Sequence, residues 1–282
     1  MIQRVISGIL GGVLLLTLIG LGGLPFTLAI GLLTTLGVLE YAELLKKQNF
    51  RSQTAVMLFC SLSLLALLYV VGGNFGLDPL EALHTGEQTF GLVLFVLVGL
   101  VFIKDILKGD PGQGFVNAAV NLFGTVYIGF MFAYILLLRF LPNQDGLVYV
   151  LFTVLVTWAN DTFAYFIGVN FGRHKLSPEI SPKKSVEGSF GGLAGGLLMA
   201  VALGSYFHKP ILSMLILGLL VVVAGQFGDL VESVIKRNAG VKDSGHFLPG
   251  HGGVLDRFDS LLLAAPVVYY IVVYFKPFFL TM

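Results

Sequence analysis

A polar stretch at residues 233–259 interrupts an apolar sequence and contains the side chains best suited to chemistry. It holds cations, carboxylates, two histidines and a pair of glycines: Lys236, Arg237, Lys242, Arg257, Asp243, Asp256, Asp259, His246, His251, Gly252 and Gly253. Cations can bind phosphate oxygens, carboxylates can hold a hard divalent metal, and glycines let backbone N–H groups approach an anion closely. The combination predicts a phosphate-handling site. The alternative is a solvated loop between two membrane spans, as most charge runs are.

The residues just before this stretch predict where a metal could bind. If the helix that ends near residue 232 continues, Asp229, Glu232 and Ser233 lie three and four residues apart on one of its faces. A carboxylate at that point can reach across to Asp256, so that two acids distant in sequence flank one divalent ion. An oxygen-rich, hydrated site of this kind suits magnesium. His251 is expected to donate to phosphate rather than bind the metal, because the surrounding groups are rich in oxygen and include no cysteine.

The elements that position these groups are predicted to be membrane-spanning helices. The 282 residues are 56% hydrophobic and 12% charged, and the mean hydropathy is +0.90, which is typical of an integral membrane protein. The sequence therefore predicts an all-α, polytopic membrane protein that spans the lipid bilayer with about nine transmembrane helices. The net charge of +1 gives no electrostatic case for nucleic acid as a partner. The apolar runs, each roughly 20 residues, are 5–23, 25–44, 54–72, 89–107, 115–138, 147–169, 189–207, 211–232 and 260–281.

The distribution of basic residues predicts how the spans are oriented. With a cytoplasmic amino terminus and nine spans, 14 of the 17 lysine and arginine residues face the cytoplasm, and the other three, Arg139, Lys209 and Lys276, lie outside. The carboxyl terminus is then outside, and residues 233–259 are on the cytoplasmic side, where nucleotides are. The short separation of the first two spans leaves a re-entrant hairpin open at that point.

A carboxylate inside the sixth predicted span is a second candidate for function. Asn160, Asp161 and Thr162 lie among apolar residues. An ionisable group inside a membrane is costly and usually faces a cavity or a partner. We expect Asn160 and Thr162 to make hydrogen bonds between packed helices, and we expect Asp161 to have a functional role.

A basic cluster between the sixth and seventh predicted spans is the third candidate. It contains Lys183 and Lys184, followed by Ser185 and Glu187. The usual excess of positive charge on the cytoplasmic side is an alternative explanation for the two lysines. Backbone N–H groups at the start of the seventh span could join the lysines around a phosphate. Both basic clusters would then lie at one membrane face.

The spacing of these residues resembles the phosphatidate cytidylyltransferase (CDP-diacylglycerol synthase) family. The family signature reads Ser, two residues, Lys-Arg, four residues, Lys-Asp, then Leu-Pro, one residue, His-Gly-Gly, two residues, Asp-Arg, one residue and Asp. The stretch from Ser233 to Asp259 matches every one of these positions. Residues 161–165 are similar to the family's Asp-Thr-Gly/Ala-Ala-Tyr pattern, with Phe163 in place of the small residue. Residues 181–188 resemble a further family motif, Ser-Pro-Lys-Lys-Ser/Thr-x-Glu-Gly.

The resemblance implies an enzyme that transfers CMP from CTP to phosphatidate, giving CDP-diacylglycerol for phospholipid synthesis and releasing pyrophosphate. It implies one catalytic domain over residues 1–282, in the cell (inner) membrane with the active site facing the cytoplasm, and it leaves a homodimer open. A CTP-dependent cytidylyltransferase for another lipid phosphate is the close alternative. A polytopic transporter would explain the spans and the glycine-rich helices, but not the concentration of charge in the inner loops.

The resemblance also assigns roles to individual residues. Magnesium (Mg²⁺) is expected at Asp229 and Asp256, and the further candidate ligands are Glu232, Asp243 and Asp259. The expected catalytic residues are Asp229, Asp256, Lys242, Arg257 and Asp161. The expected substrate-binding residues are Lys183, Lys184, Ser185, Glu187, Ser233, Lys236, Arg237, His251, Gly252 and Gly253. Apart from the resemblance, Lys183 and Lys184 are expected near the lipid phosphate because they precede a span. Lys236, Arg237 and Arg257 are expected near the nucleotide and its leaving group.

Overall fold

The computed structural model describes residues 2–73, 79–108, 112–245 and 252–279, without the side chains of residues 2–7, 72–73, 79–87, 108 and 276. Helices account for most of this part of the chain. In chain order they are α1 (Ile2–Leu21), α2 (Gly23–Lys47), α3 (Thr54–Gly73), α4 (Pro79–Lys108), α5 (Gly114–Gly124), a π-helix (Thr125–Phe130), α6 (Met131–Arg139), α7 (Asp145–Phe171), α8 (Val186–Tyr206), α9 (Ile211–Asn238), α10 (Leu255–Tyr274) and α11 (Lys276–Phe279).

Within the described residues, eight helical segments are long and apolar enough to cross a membrane. They are Gly23–Lys47, Thr54–Val71, Gln88–Leu107, Gly114–Arg139, Asp145–Phe171, Val186–Tyr206, Ile211–Asn238 and Leu255–Tyr274. The prediction of an all-α, polytopic membrane protein is therefore confirmed. The first predicted span, 5–23, corresponds to α1, whose described apolar stretch is the shorter Gly8–Leu21. The orientation of the termini stays a prediction.

The chain divides into two compact units. The first consists of Met1–Leu141 with Asn238–Arg257, and the second consists of Pro142–Arg237 with Phe258–Met282. The prediction that residues 1–282 work as one catalytic domain stays a prediction.

Close helix packing in the first unit depends on small residues beside the π-helix. A Cβ atom on Gly124 would lie 2.1 Å from the Tyr41 ring, and one on Gly129 would lie 2.0 Å from Ser61 Oγ. Side chains at these two positions would therefore force α2 and α3 away. The π-helix inserts an extra-wide turn into one continuous apolar segment, Gly114–Arg139.

In the second unit, glycines on α8 let α7 approach closely. A Cβ atom on Gly192 would lie 2.5 Å from Asn160 Oδ1, and one on Gly195 would lie 2.4 Å from Phe163 Cγ. Small residues at such contacts are typical of packed membrane helices. Gly195 also makes room for Phe163, the residue that departs from the small residue of the family pattern.

Two features near the sequence motifs differ from the sequence prediction. The loop expected between the sixth and seventh spans contains an antiparallel hairpin of β1 (Lys175–Ser177) and β2 (Ser181–Ser185). In addition, α9 continues to Asn238, whereas its apolar run ends at residue 232. Cations in the last turn of a helix interact favourably with its dipole, and Lys236 and Arg237 lie there. The start of the signature is thus helical rather than part of a loop.

Candidate active site

Three carboxylates from two helices come together in the second unit. Asp229 and Glu232 lie on α9 and Asp259 lies on α10, and one oxygen from each lies within 4.8 Å of the other two. We call these three residues the acidic cluster. The side chain of Glu232 is 2% exposed, whereas Asp229 and Asp259 are partly accessible. The continued helix at the end of span eight, which would place Asp229 and Glu232 on one face, is confirmed by the course of α9.

Two lysines form ion pairs with members of the acidic cluster. Lys184, on β2, pairs with Asp229, and Lys236, one turn further along α9, pairs with Glu232. The side chains of Lys184 and Lys236 are only 25% and 12% exposed. Because partly buried charges are costly unless they are paired, each lysine stabilises the carboxylate beside it. Acids and bases from both sequence motifs therefore meet at one place.

A glycine on α9 allows the acidic cluster to form. A Cβ atom on Gly228 would lie 2.4 Å from the backbone oxygen of Asp259. Real Cβ atoms do not approach backbone so closely, so a side chain here would push α9 away from α10. Gly228 directly precedes Asp229, and the close approach thus sets the separation between Asp229 and Asp259.

The donor atoms of the acidic cluster fit a hard divalent cation. All three groups offer carboxylate oxygens, and Mg²⁺ is usually held by one or two carboxylates together with water and substrate phosphate. Among the described residues, the structure therefore contains an acidic group that could hold Mg²⁺. It brings together Asp229, the predicted ligand, with Glu232 and Asp259, two of the further candidates.

Asp256, the other predicted ligand, lies in the first unit and accepts hydrogen bonds from residues near it in sequence. Its Oδ2 accepts hydrogen bonds from Ser244 N at 2.8 Å, Ser244 Oγ at 2.9 Å and Gly253 N at 2.7 Å. These bonds fasten residues on both sides of the chain segment 245–252 to the first turn of α10. The role of Asp256 as a magnesium ligand stays a prediction.

The glycine pair of the signature lies against two carboxylates. Gly252 has a φ of 83°, in the left-handed region that favours glycine, and a Cβ atom on it would lie 2.7 Å from Asp256 Oδ2. A Cβ atom on Gly253 would lie 2.3 Å from Ser244 Oγ and 2.5 Å from Glu40 Oε2. The sequence predicts that the pair lets backbone N–H groups approach an anion. In the structure the glycines lie beside two carboxylates of the chain itself, those of Asp256 and Glu40, and contact with a substrate anion stays a prediction.

Glu40 is the residue near the signature that sequence analysis missed. It lies on α2, and its carboxylate accepts hydrogen bonds from Val254 N, Leu255 N and Ser244 Oγ. The sequence did contain one signal, because Glu40 is an acid within the second apolar run, and ionisable residues inside membranes are usually functional. Its partners, more than 200 positions away, could not be identified from spacing.

The hairpin motif is held by short local contacts. Ser185 is buried, and its Oγ accepts a hydrogen bond from Gly188 N at 3.1 Å, which caps α8. The carboxylate of Glu187 accepts hydrogen bonds from Arg173 N at 3.1 Å and His174 N at 3.2 Å. Glu187 thus orders the chain between α7 and β1. The substrate-binding role predicted for Ser185 and Glu187 stays a prediction.

The hairpin is also joined to the end of α9. Arg237 Nε donates a hydrogen bond to the backbone oxygen of Ile180, between β1 and β2, at 3.1 Å. Together with the ion pair between Lys184 and Asp229, this contact brings the second basic cluster beside the first part of the signature within the second unit. The prediction that both clusters lie at one membrane face stays a prediction.

Asp161 belongs to a polar network that crosses three helices. Asn160 Nδ2 on α7 donates to Asp161 Oδ1 at 2.9 Å, and Gln226 Nε2 on α9 donates to Asn160 Oδ1 at 3.0 Å. Ser189 Oγ on α8 donates to Gln226 Oε1 at 2.7 Å. Asn160 therefore bonds between packed helices, as predicted. Asp161 is exposed, and its functional role stays a prediction.

The remaining predicted site residues differ in exposure. Lys183, Lys242, Asp243 and Arg257 are exposed, which leaves them accessible to solutes, whereas Ser233 is buried in α9. His251 lies outside the described residues, so its predicted phosphate contact stays a prediction.

Comparisons with known proteins show which family the chain belongs to. The sequence pattern of the cytidylyltransferase family matches residues 2–275, and the chain belongs to that family. Its relatives include the phosphatidate cytidylyltransferase of Bacillus subtilis (strain 168), which is 36% identical over 97% of this chain and 98% of its own length. The phosphatidate cytidylyltransferase of Synechocystis sp. (strain ATCC 27184 / PCC 6803 / Kazusa) is 34% identical over 98% of this chain and 97% of its own. The phosphatidate cytidylyltransferase of Staphylococcus haemolyticus (strain JCSC1435) is 33% identical over 94% of this chain and 96% of its own length.

Proposed function

We propose that this chain is a phosphatidate cytidylyltransferase, which transfers CMP from CTP to phosphatidate and forms CDP-diacylglycerol and pyrophosphate. The observation that carries the proposal is the similarity, over nearly the whole chain, to relatives with that name. The acidic cluster and the lysines that pair with it support the same conclusion, because nucleotidyl transfer joins two anions that repel each other.

The reaction requires neutralisation and positioning more than proton transfer. A phosphate oxygen of phosphatidate attacks the α-phosphorus of CTP, a new P–O bond forms, and the bond from the α-phosphorus to the bridging oxygen breaks as pyrophosphate leaves. The attacking phosphate is already largely ionised near neutral pH, so no strong general base is needed. The protein must bring the two phosphates into line and stabilise the charge on the leaving pyrophosphate.

The residues of the chain can meet these requirements. Magnesium, when bound, would neutralise charge on the phosphates, and the acidic cluster would hold it, with Asp256 as the predicted further ligand. Lys183 and Lys184 would bind the phosphate of the lipid, and Lys236, Arg237, Lys242 and Arg257 would bind the nucleotide and its leaving group. Lys184 pairs with Asp229, so it would lie beside both the metal and the lipid phosphate.

The lipid substrate can be tested directly. Purified protein in detergent is supplied with radiolabelled CTP and with phosphatidate, an isoprenoid ether lipid phosphate or no lipid, and the lipid product is separated by chromatography. We expect a labelled product with phosphatidate in preference to the other lipid. A labelled product only with the isoprenoid lipid phosphate would identify a cytidylyltransferase for a different lipid.

Lys183 provides a test of lipid-phosphate binding. Lys183→Ala is expected to raise the KM for phosphatidate about ten- to a hundredfold, because a charge-assisted phosphate contact is lost, and to raise the KM for CTP less. The matched control is Lys175→Ala, because Lys175 is an exposed lysine on the other strand of the same hairpin. Steady-state kinetics with each substrate varied would check both variants. An unchanged KM for phosphatidate in Lys183→Ala would contradict the assignment.

The orientation follows from the proposed function, since CTP is cytoplasmic, and it can be checked by labelling. In a Cys60→Ser background, single cysteines at Lys183 and Lys242 should react with an impermeant maleimide only after the inner face is opened. A cysteine at Asn143 should react in intact cells. All three positions are accessible or partly accessible in the structure. Labelling at Lys242 from outside intact cells would contradict the cytoplasmic active site. The inner-membrane location stays a prediction. A homodimer stays a prediction.

A further inference from the structure

Glu40 is a carboxylate on a membrane-spanning helix that binds to the start of another helix. Its Oε1 accepts a hydrogen bond from Val254 N at 2.7 Å, and its Oε2 accepts one from Leu255 N at 3.0 Å. The first N–H groups of a helix have no partner within the helix and lie at the positive end of its dipole. Glu40, from α2, therefore caps the amino end of α10, although it is 215 positions away from Leu255.

The same carboxylate is linked to Asp256 through a shared serine. Ser244 Oγ lies 3.1 Å from Glu40 Oε2 and 2.9 Å from Asp256 Oδ2, within hydrogen-bonding distance of both. A serine hydroxyl carries one hydrogen, so the two carboxylates share one donor. Removing the charge of Glu40 would change how the Ser244 hydrogen bond is shared between the two carboxylates. The hydrogen bonds that orient Asp256 would change with it.

The surrounding chain is shaped to fit Glu40. A Cβ atom on Gly245 would lie 2.6 Å from Glu40 Oε1, and one on Gly253 would lie 2.5 Å from Glu40 Oε2. Both glycines belong to the segment that contains the signature, and a side chain at either one would displace the carboxylate. The segment therefore packs closely around the Glu40 carboxylate of α2.

We propose that Glu40 is a positioning residue of the active site, which acts through Ser244 and the first turn of α10 to hold Asp256 in its working orientation. This inference rests on the proposed function, because Asp256 is the residue whose role in the transfer Glu40 would support. Glu40 itself is not expected to touch either substrate. Its removal should therefore lower kcat and leave the binding of both substrates nearly unchanged.

The variant Glu40→Gln tests whether both side-chain oxygens of Glu40 are needed as hydrogen-bond acceptors. Each oxygen of Glu40 accepts from a different backbone N–H, so an amide would place its NH₂ group against one of these donors. We expect kcat to fall about ten- to a hundredfold, with the KM values for CTP and phosphatidate changed by less than about threefold. Glu40→Asp keeps both oxygens on a shorter side chain and should recover part of the lost kcat.

A second measurement does not depend on substrates or metal. Hydrogen–deuterium exchange, followed by mass spectrometry of peptides covering residues 253–258, reports the backbone N–H groups that Glu40 accepts from. In Glu40→Gln, exchange at Val254 and Leu255 should become about tenfold faster or more. The matched control for both measurements is Glu43→Gln, because Glu43 lies one turn away on α2, is exposed, and pairs with Lys46 at 2.5 Å. The control should behave as the wild type does.

The outcomes separate this inference from the proposed function. A wild-type protein that makes no CDP-diacylglycerol would contradict the proposed function, and unchanged exchange in Glu40→Gln would still contradict the contact with α10. If the wild type is active and Glu40→Gln has wild-type kcat per folded molecule, Glu40 has only a packing role and the inference is wrong. An equal loss of kcat in Glu43→Gln would also overturn it, because the effect would then not be specific to Glu40.

Discussion

Asp229→Asn is expected to lower kcat by at least about a hundredfold, because under the proposed function Asp229 is a metal ligand. Loss of groups that only orient metal ligands already costs about ten- to a hundredfold. The change removes the charge of one member of the acidic cluster and keeps its shape. Lys184 loses its ionic partner, but the amide oxygen of asparagine can still accept a hydrogen bond from the lysine ammonium group, so the protein should stay folded in detergent. The kcat for CDP-diacylglycerol formation and the thermal unfolding temperature would check the two parts of this expectation.

The control for this change is a carboxylate on the same side of the second unit that is outside the proposed site. Glu179→Gln removes an exposed charge between β1 and β2, and its activity should match that of the wild type. If Asp229→Asn kept more than about a tenth of the wild-type kcat, the magnesium assignment at Asp229 would be wrong.

Gly228→Ala is expected to have an effect of similar size without changing any charge. Its Cβ atom would lie 2.4 Å from the backbone oxygen of Asp259, whereas ordinary contact begins at 3.4 Å. Since backbone cannot move aside as a flexible side chain can, α9 and α10 would separate by about 1 Å, and a misplacement of this size can cost about a hundredfold in rate. Steady-state assays of folded variant protein would measure the loss.

The matched control lies one turn earlier on the same helix. A Cβ atom on Gly225 would lie 3.5 Å from Ser260 Cβ and 3.6 Å from Thr157 Cγ2, which are ordinary contacts. Gly225→Ala should therefore keep most of the wild-type activity. Similar activities for the two variants would show that the approach of α9 to α10 at Gly228 does not set the geometry of the site.

The membrane-spanning architecture could be predicted from sequence because it depends on one physical quantity. A helix must be roughly 20 residues long to cross the apolar core of a bilayer, and apolar runs of that length are visible without any knowledge of packing. The ends of helices are less predictable, as α9 shows by continuing to Asn238 beyond its apolar run. The apolar pattern marks where the lipid ends, whereas a helix can continue in water when its last residues suit its dipole.

The small hairpin was missed because its sequence carries little strand signal. β1 has three residues and β2 has five, and β2 contains two adjacent lysines and a proline rather than an alternating pattern. Besides its local contacts, the hairpin makes contacts with distant parts of the chain, such as the hydrogen bond from Arg237 to Ile180. Tertiary contacts of this kind cannot be inferred from short strands.

The residues of the candidate site were predicted more completely than the hydrogen bonds that connect them. Asp229, Glu232 and Asp259 were selected from sequence as candidate metal ligands, and the structure brings these three together. The sequence provided no reason to connect Glu40 with the signature, because hydrogen bonds between residues more than 200 positions apart depend on the complete fold. The carboxylate within an apolar run was the visible signal, and only the packing of α2 beside the start of α10 gives it a partner.

The most direct test of the proposed function is the release of pyrophosphate from CTP by the purified protein, measured with and without phosphatidate in the presence of magnesium. The proposal predicts release only when phosphatidate is present, with one CDP-diacylglycerol formed for each pyrophosphate. Release that is equal with and without phosphatidate, or no release in either case from folded protein, would contradict it.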